Sequence, residues 1–148
     1  MNSMPSTSLS ASEIQELIPH SGNMSLIDSV SYWDKNLIHC WTKSHLCSNN
    51  PLRTNLQLHS TILIEYGAQA AAIHASLSSA SIDKKMGTAF LASVKHTQWK
   101  EETIPQDDEA MELKAEKEHD HNKGAIYTFQ IHFNHSPFSE GKLILMQP

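Results

Sequence analysis

Apolar and polar residues alternate without a break from Tyr127 to Asn134, with Tyr127, Phe129, Ile131 and Phe133 on one parity and Thr128, Gln130, His132 and Asn134 on the other. A period of two gives a strand one buried and one wet face. Met111, Leu113 and Ala115 oppose Glu112, Lys114 and Glu116 in the same way, so the stretch near 110 to 119 reads as a second strand. FLASVKHTQW near 90 to 99 and KLILMQ near 142 to 147 supply two more. The polar connection from His119 to Gly124 is short, which favours antiparallel neighbours, and His119-Asp120-His121 reads as a hairpin turn. Upstream, MSLIDSVSYW runs from Met24 to Trp33 with Met24, Leu26, Val30 and Tyr32 on one parity. Asp34-Lys35-Asn36 then supplies turn chemistry before LIHCWTKS resumes the extended pattern, which predicts a hairpin.

The periodicity changes over Ser60 to Ser79, where STILIEYGAQAAAIHASLSS is rich in alanine and apolar nearly all round. Such a helix must be enclosed, and no second helix of comparable apolarity exists to enclose it, so a curved sheet does. A short helix is expected from Ser12, where Ser12 and Gln15 match a capping box and Ile14, Leu17 and Ile18 sit at helical spacing before Pro19. Residues 1–11 are polar and aperiodic and read as a flexible N-terminus, leaving 12–148 as a single domain. Ser44 to Leu58 reads as a long loop, broken by Asn49, Asn50 and Pro51. The sum is an α+β fold in which an antiparallel sheet of about six strands wraps one long central helix, without internal repeats.

Composition narrows the function. The 148 residues carry a net charge of −5, which offers no basic footprint for nucleic acid. No apolar run is long enough to span a bilayer, and the N-terminal stretch lacks the pattern of a signal peptide, so a cytoplasmic protein is expected. The two cysteines, Cys40 and Cys47, are expected as free thiols in a reducing compartment.

Two positions stand out chemically. Glu65 interrupts the apolar run of Ile62, Leu63 and Ile64, and a carboxylate in such surroundings is either neutralised or held by hydrogen bonds. Either condition suits a general acid or base, although a glutamate held by backbone donors for structural reasons gives the same pattern. Gln69 follows at i+4 and shares its face. His39, Cys40, His45 and Cys47 include good zinc ligands, but the spacing is not that of a zinc knuckle, and adjacent strand residues point to opposite faces. No metal and no cofactor is expected.

The segments IPHSGNMSLIDSV at 18 to 30, SHLCSNNPLR at 44 to 53 and IEYGAQAAAIHASL at 64 to 77 carry a resemblance, continued by LASV at 91 to 94, IYTF at 126 to 129 and GKLIL at 141 to 145. Together these resemble hotdog-fold β-hydroxyacyl-(acyl carrier protein) dehydratases, including relatives from aryl-polyene-type pathways. The resemblance implies dehydration of a β-hydroxyacyl thioester to the trans-2-enoyl thioester in fatty-acid or polyene-type biosynthesis, with His45 as base and Glu65 as acid. An imidazole and a carboxyl on opposite sides of the substrate suit removal of an α-proton and protonation of the leaving hydroxyl. Expected substrate-binding residues are His20, Asn50, Arg53, Thr61, Ile62 and Gln69. The backbone N–H groups of Thr61 and Ile62 would polarise the thioester carbonyl at the helix start. Asn50 and Arg53 would order the loop or meet the phosphopantetheine arm or carrier surface, with a plain salt bridge as the alternative for Arg53.

The sequence departs from the better-known dehydratases at the approach to the helix, where Leu58-His59-Ser60 replaces Pro-Gly and His45 and Glu65 stand twenty residues apart. His20 and His59 are therefore the reserve partners of Glu65. A thioesterase acting on acyl-CoA or acyl-carrier thioesters is the alternative activity, because a helix carboxylate can activate water on the same fold. A non-catalytic acyl-binding subunit is the alternative outside enzymes. The resemblance also implies a homodimer or a hotdog heterodimer, with acyl carrier protein or CoA presenting the acyl group.

Overall fold

A computed structural model describes residues 8–17, 24–55, 57–78, 90–121 and 124–146. The elements follow the order read from the sequence: α1 (Ala11–Gln15), β1 (Ser29–Trp33), β2 (Leu37–Thr42), α2 (Leu63–Ser78), β3 (Phe90–Trp99), β4 (Met111–His121), β5 (Gly124–Phe133) and β6 (Ser136–Met146). Short 3-10 turns at Ser44–Leu46 and Ser60–Ile62 mark the start of the long loop and the approach to α2. One six-stranded sheet in the order β1-β2-β4-β5-β6-β3, antiparallel at every junction, packs against α2. This is the hotdog architecture.

Strand alternation places the core. Met111, Leu113 and Ala115 on β4, Tyr127, Phe129, Ile131 and Phe133 on β5, and Leu143 and Leu145 on β6 are all buried. Helix α2 buries residues nearly all round, as its composition demands. Its half-exposed positions Ile64, Glu65, Ala72 and Ala75 recur at helical spacing and form the stripe that the sheet leaves open. Helix and sheet meet most closely over Phe129. A Cβ at Gly67 of α2 would lie 2.8 Å from Phe129 Cγ, and one at Gly141 of β6 would lie 2.7 Å from Phe129 Cε2. Glycine at both positions is what lets the helix descend onto the ring.

Several boundaries differ from the sequence reading, each for a local reason. The capping box forms at Ser10 and Glu13, two residues earlier than the Ser12 and Gln15 pair: the Ser10 side chain accepts from Glu13 N–H, and Glu13 accepts from Ser10 N–H at 2.9 Å. Leu9 is also tied down, since its N–H donates to Val30 O at 2.9 Å and its carbonyl accepts from Val30 N–H at 3.1 Å. Leu9 and Ser10 are thus hydrogen-bonded within the segment expected to be flexible over 1–11, while residues 1–7 lie outside the described residues, as do Ile18 and Pro19. In the first hairpin, a register shift between Val30 and Tyr32 inserts an extra residue. The parity reverses there, so Val30 is buried whereas Tyr32 is exposed, against the shared face expected for the two. His119, Asp120 and His121 pair with Ile126, Ala125 and Gly124 and extend β4 instead of making the turn. β6 begins at Ser136, before the KLILMQ run, because Pro137 is accommodated beside the register shift at Ile131 and His132.

Candidate active site

The approach to α2 is closed on itself. Ser60 N–H donates to Glu102 O at 2.7 Å, Thr61 N–H to His59 Nδ1 at 3.2 Å and Ile62 N–H to His59 O at 3.1 Å, and Leu63 N–H reaches Ser60 O. A helix start normally leaves its first N–H groups unsatisfied. Here His59 caps the turn and the 101–104 segment covers it, so the expected use of Thr61 and Ile62 to polarise a thioester carbonyl is not available in this conformation. His59 is itself engaged, with Nε2 3.0 Å from Glu102 Oε1.

Glu65 lies in the first turn of α2, half-buried on the open stripe and less enclosed than its apolar neighbours suggest. Its Oε2 accepts from Gln69 Nε2 at 3.2 Å, one helical turn on. The Gln69 amide has a fixed orientation: Nε2 also donates to Met24 O at 2.7 Å, and Oε1 accepts from Leu26 N–H at 2.9 Å. A carbonyl can only accept and an N–H can only donate, so Gln69 presents a donor to Glu65. Gln69 thus bonds Glu65 across one helical turn.

Tyr66, the next residue, points into the protein and is fully buried. Its hydroxyl lies 2.8 Å from Ser44 Oγ and accepts from Asn50 Nδ2 at 3.1 Å, which pins the loop after β2 to the helix. Burial pushes the phenol upward, so it stays protonated. Asn50 Nδ2 also donates to Ser44 O, and Asn50 Oδ1 accepts from Leu52 N–H. The Arg53 guanidinium donates to Cys47 O, His45 O and Gln106 Oε1. Asn50 and Arg53 thereby order the loop.

His45 is fully buried within that loop. Its Nε2 donates to Glu109 O at 3.0 Å, its ring meets Phe133 edge-on at 5.3 Å, and Nδ1 is buried with no partner among the described residues. Desolvation lowers its pKa, offset in part by the bond to Glu109. The imidazole is therefore neutral near pH 7 with its lone pair on Nδ1. His45 makes no hydrogen bond to Glu65, although their chain neighbours Ser44 and Tyr66 touch. His20 lies outside the described residues.

Sequence reasoning missed Ser44, Tyr66, Gln106 and Glu109, which fix the loop. Only Tyr66 left a signal, as a hydroxyl in a helix too apolar to solvate it. The zinc candidates separate: His39 Nε2 lies 2.6 Å from Glu112 Oε2, Cys40 is buried and Cys47 exposed. Both cysteines are free thiols, and no cluster of metal-binding side chains occurs among the described residues. No helix among them is long and apolar enough to cross a membrane.

Comparison with known proteins agrees with this architecture. The dehydratase heterocomplex ApeI:P of Xenorhabdus doucetiae contains a chain similar to this one, with a TM-score of 0.81 at 16% identity over 91% of this chain and 90% of that one. AziG of S. sahachiroi matches with a TM-score of 0.61 at 14% identity, covering 84% and 91% of the two chains. A hypothetical thioesterase of Streptococcus pneumoniae TIGR4, solved with coenzyme A, matches with a TM-score of 0.59 at 12% identity, covering 80% and 84%. No curated protein is similar enough in sequence to match. At these identities the likenesses establish the fold alone, a hotdog. The family model of the ApeP-like proteins, described as ApeP dehydratase, matches residues 12–148, and the chain belongs to that family.

Proposed function

We propose that the protein removes water from a β-hydroxyacyl thioester carried on an acyl carrier protein, giving the trans-2-enoyl thioester in fatty-acid or polyene-type biosynthesis, and that residues 12–148 act as one hotdog domain. The observation that carries this reading is Glu65, a carboxyl on the open stripe of α2 in a chain of a dehydratase family. Elimination needs a base for the α-proton and an acid for the departing hydroxyl. Glu65 supplies the acid, delivering its proton to the hydroxyl as water leaves. His45 supplies the base: its neutral form, with Nδ1 unprotonated, is the form that accepts a proton. The ring is enclosed in the isolated chain.

A second reading follows from that enclosure. In it the chain is the acid-bearing member of a hotdog pair, Glu65 faces a base from another subunit, and the open stripe of α2 is covered by that partner. The likeness to a member of a dehydratase heterocomplex favours it. Incubation with a β-hydroxyacyl carrier-protein thioester, alone and with a second hotdog subunit, separates the readings. Enoyl product from the chain alone supports His45 as base, and product only in the mixture supports the pair. Free acid would instead mark a thioesterase.

A further inference from the structure

We infer that Tyr66 is a positioning residue for the Glu65 site, through a one-way chain of hydrogen bonds that starts at Asn50 in the loop after β2, passes through Tyr66 and ends on α2 at Glu65. The inference rests on the dehydratase reading for its kinetic consequence, but its structural content stands apart from it. The direction of each bond follows from which atoms can donate. Leu26 O can only accept, so the single hydroxyl proton of Ser44 goes to it, at 2.7 Å. Ser44 Oγ then has no proton left for Tyr66, and the phenol must donate to Ser44 across 2.8 Å. The Tyr66 oxygen in turn accepts from Asn50, whose amide orientation is fixed by Leu52 N–H at Oδ1.

From Leu26 the chain continues to the acid. Leu26 N–H donates to Gln69 Oε1, and Gln69 Nε2 donates to Glu65 Oε2. Thr42 Oγ1 adds a second bond to Leu26 O at 2.6 Å, so this one peptide segment gathers β2, the loop and the helix. Asn50, Tyr66, Ser44, Leu26, Gln69 and Glu65 thus form a directed sequence, and every donor in it is committed. Tyr66 also bonds the loop bearing His45, through Ser44 and Asn50, from the residue adjacent to Glu65.

The test compares wild type, Tyr66→Phe and Ser44→Ala. Both variants remove the Tyr66–Ser44 bond, Ser44→Ala also removes the bond to Leu26 O, and either alone suffices if the other fails to fold. Loss of that bond is expected to lower kcat about tenfold while KM stays within about twofold, as for a residue that orients a reacting group. In the background of Glu65→Asp, which displaces the carboxyl, Tyr66→Phe is expected to cost little further activity, a non-additivity that a purely structural loss of stability would not produce. Amide hydrogen exchange at Leu46, Cys47 and Asn50, whose N–H groups close the loop turns, is expected to accelerate about tenfold in both variants. Unchanged loop exchange in both would overturn the inference, as would losses that add independently in the double variant. If the wild type, with or without a second hotdog subunit, forms no enoyl product, the dehydratase reading fails, and loop exchange alone decides the role of Tyr66.

Discussion

Glu65 is one carboxyl in a helix of alanines, held from one helical turn away by Gln69. Replacing Glu65 by Gln keeps the shape and the bond from Gln69 but removes the proton, so the dehydration rate measured by enoyl formation should fall by about two to four orders of magnitude, the span of general acid catalysis. The contact of Gln69 with Glu65 was legible in the sequence because i+4 spacing is geometry. That His45 is enclosed was not, because a histidine in a polar loop looks exposed. What buries it is Glu109, sixty-four residues away, together with Phe133 and the Arg53 clamp. The cysteines offer a separate check at this scale. Cys47 is exposed and Cys40 is enclosed, with burial raising its thiol pKa, so iodoacetamide should label Cys47 in the native protein and reach Cys40 only after unfolding.

At the level of the element, the central helix and the alternating strands were readable because each carries its pattern for six residues or more. Bulges were not, since nothing in the order of side chains announces an extra residue; Val30 and Tyr32 therefore exchanged faces unseen. The capping box slipped by two because Ser10-Glu13 and Ser12-Gln15 are both acceptable locally, and the bond from Leu9 to Val30 decides between them. The contact of α2 with β5 makes a sharp prediction. Gly67→Ala drives a methyl into the Phe129 ring, and overpacking of that kind should destabilise the fold by about 1–3 kcal/mol in denaturant unfolding. The His74 and Tyr127 pair is a second, independent link. Tyr127 O–H donates to His74 Nδ1 at 2.7 Å, and His74 Nε2–H donates to Asp34 O at 2.8 Å, tying the helix to β5 and to the first hairpin turn. Tyr127→Phe leaves buried His74 Nδ1 with only the long 3.4 Å contact to Ser78 Oγ and should lower stability by about 1–3 kcal/mol.

For the whole molecule, two enclosed histidines set the response to acid. His45 and His74 both have pKa values lowered from 6.5, mainly by desolvation. Below that value the unfolded chain takes up protons that the folded chain refuses, so stability is full above about pH 6.5 and declines as pH falls toward the folded pKa values, by up to about 1.4 kcal/mol per pH unit for each histidine. Urea midpoints measured from pH 7.5 down to 5 should fall, and the His74→Gln variant should show a shallower slope. The overall topology was legible from the order of elements, but its margins were not, and one of them governs how the molecule behaves in solution. A strand with unpaired amides at the rim of a sheet recruits any extended chain that drifts past. Leu9 occupies that position against Val30, a single residue standing guard over a sticky border. Deleting residues 1–9 should therefore leave enoyl formation largely intact while light scattering grows with concentration and time, as bared strand rims join one molecule to the next.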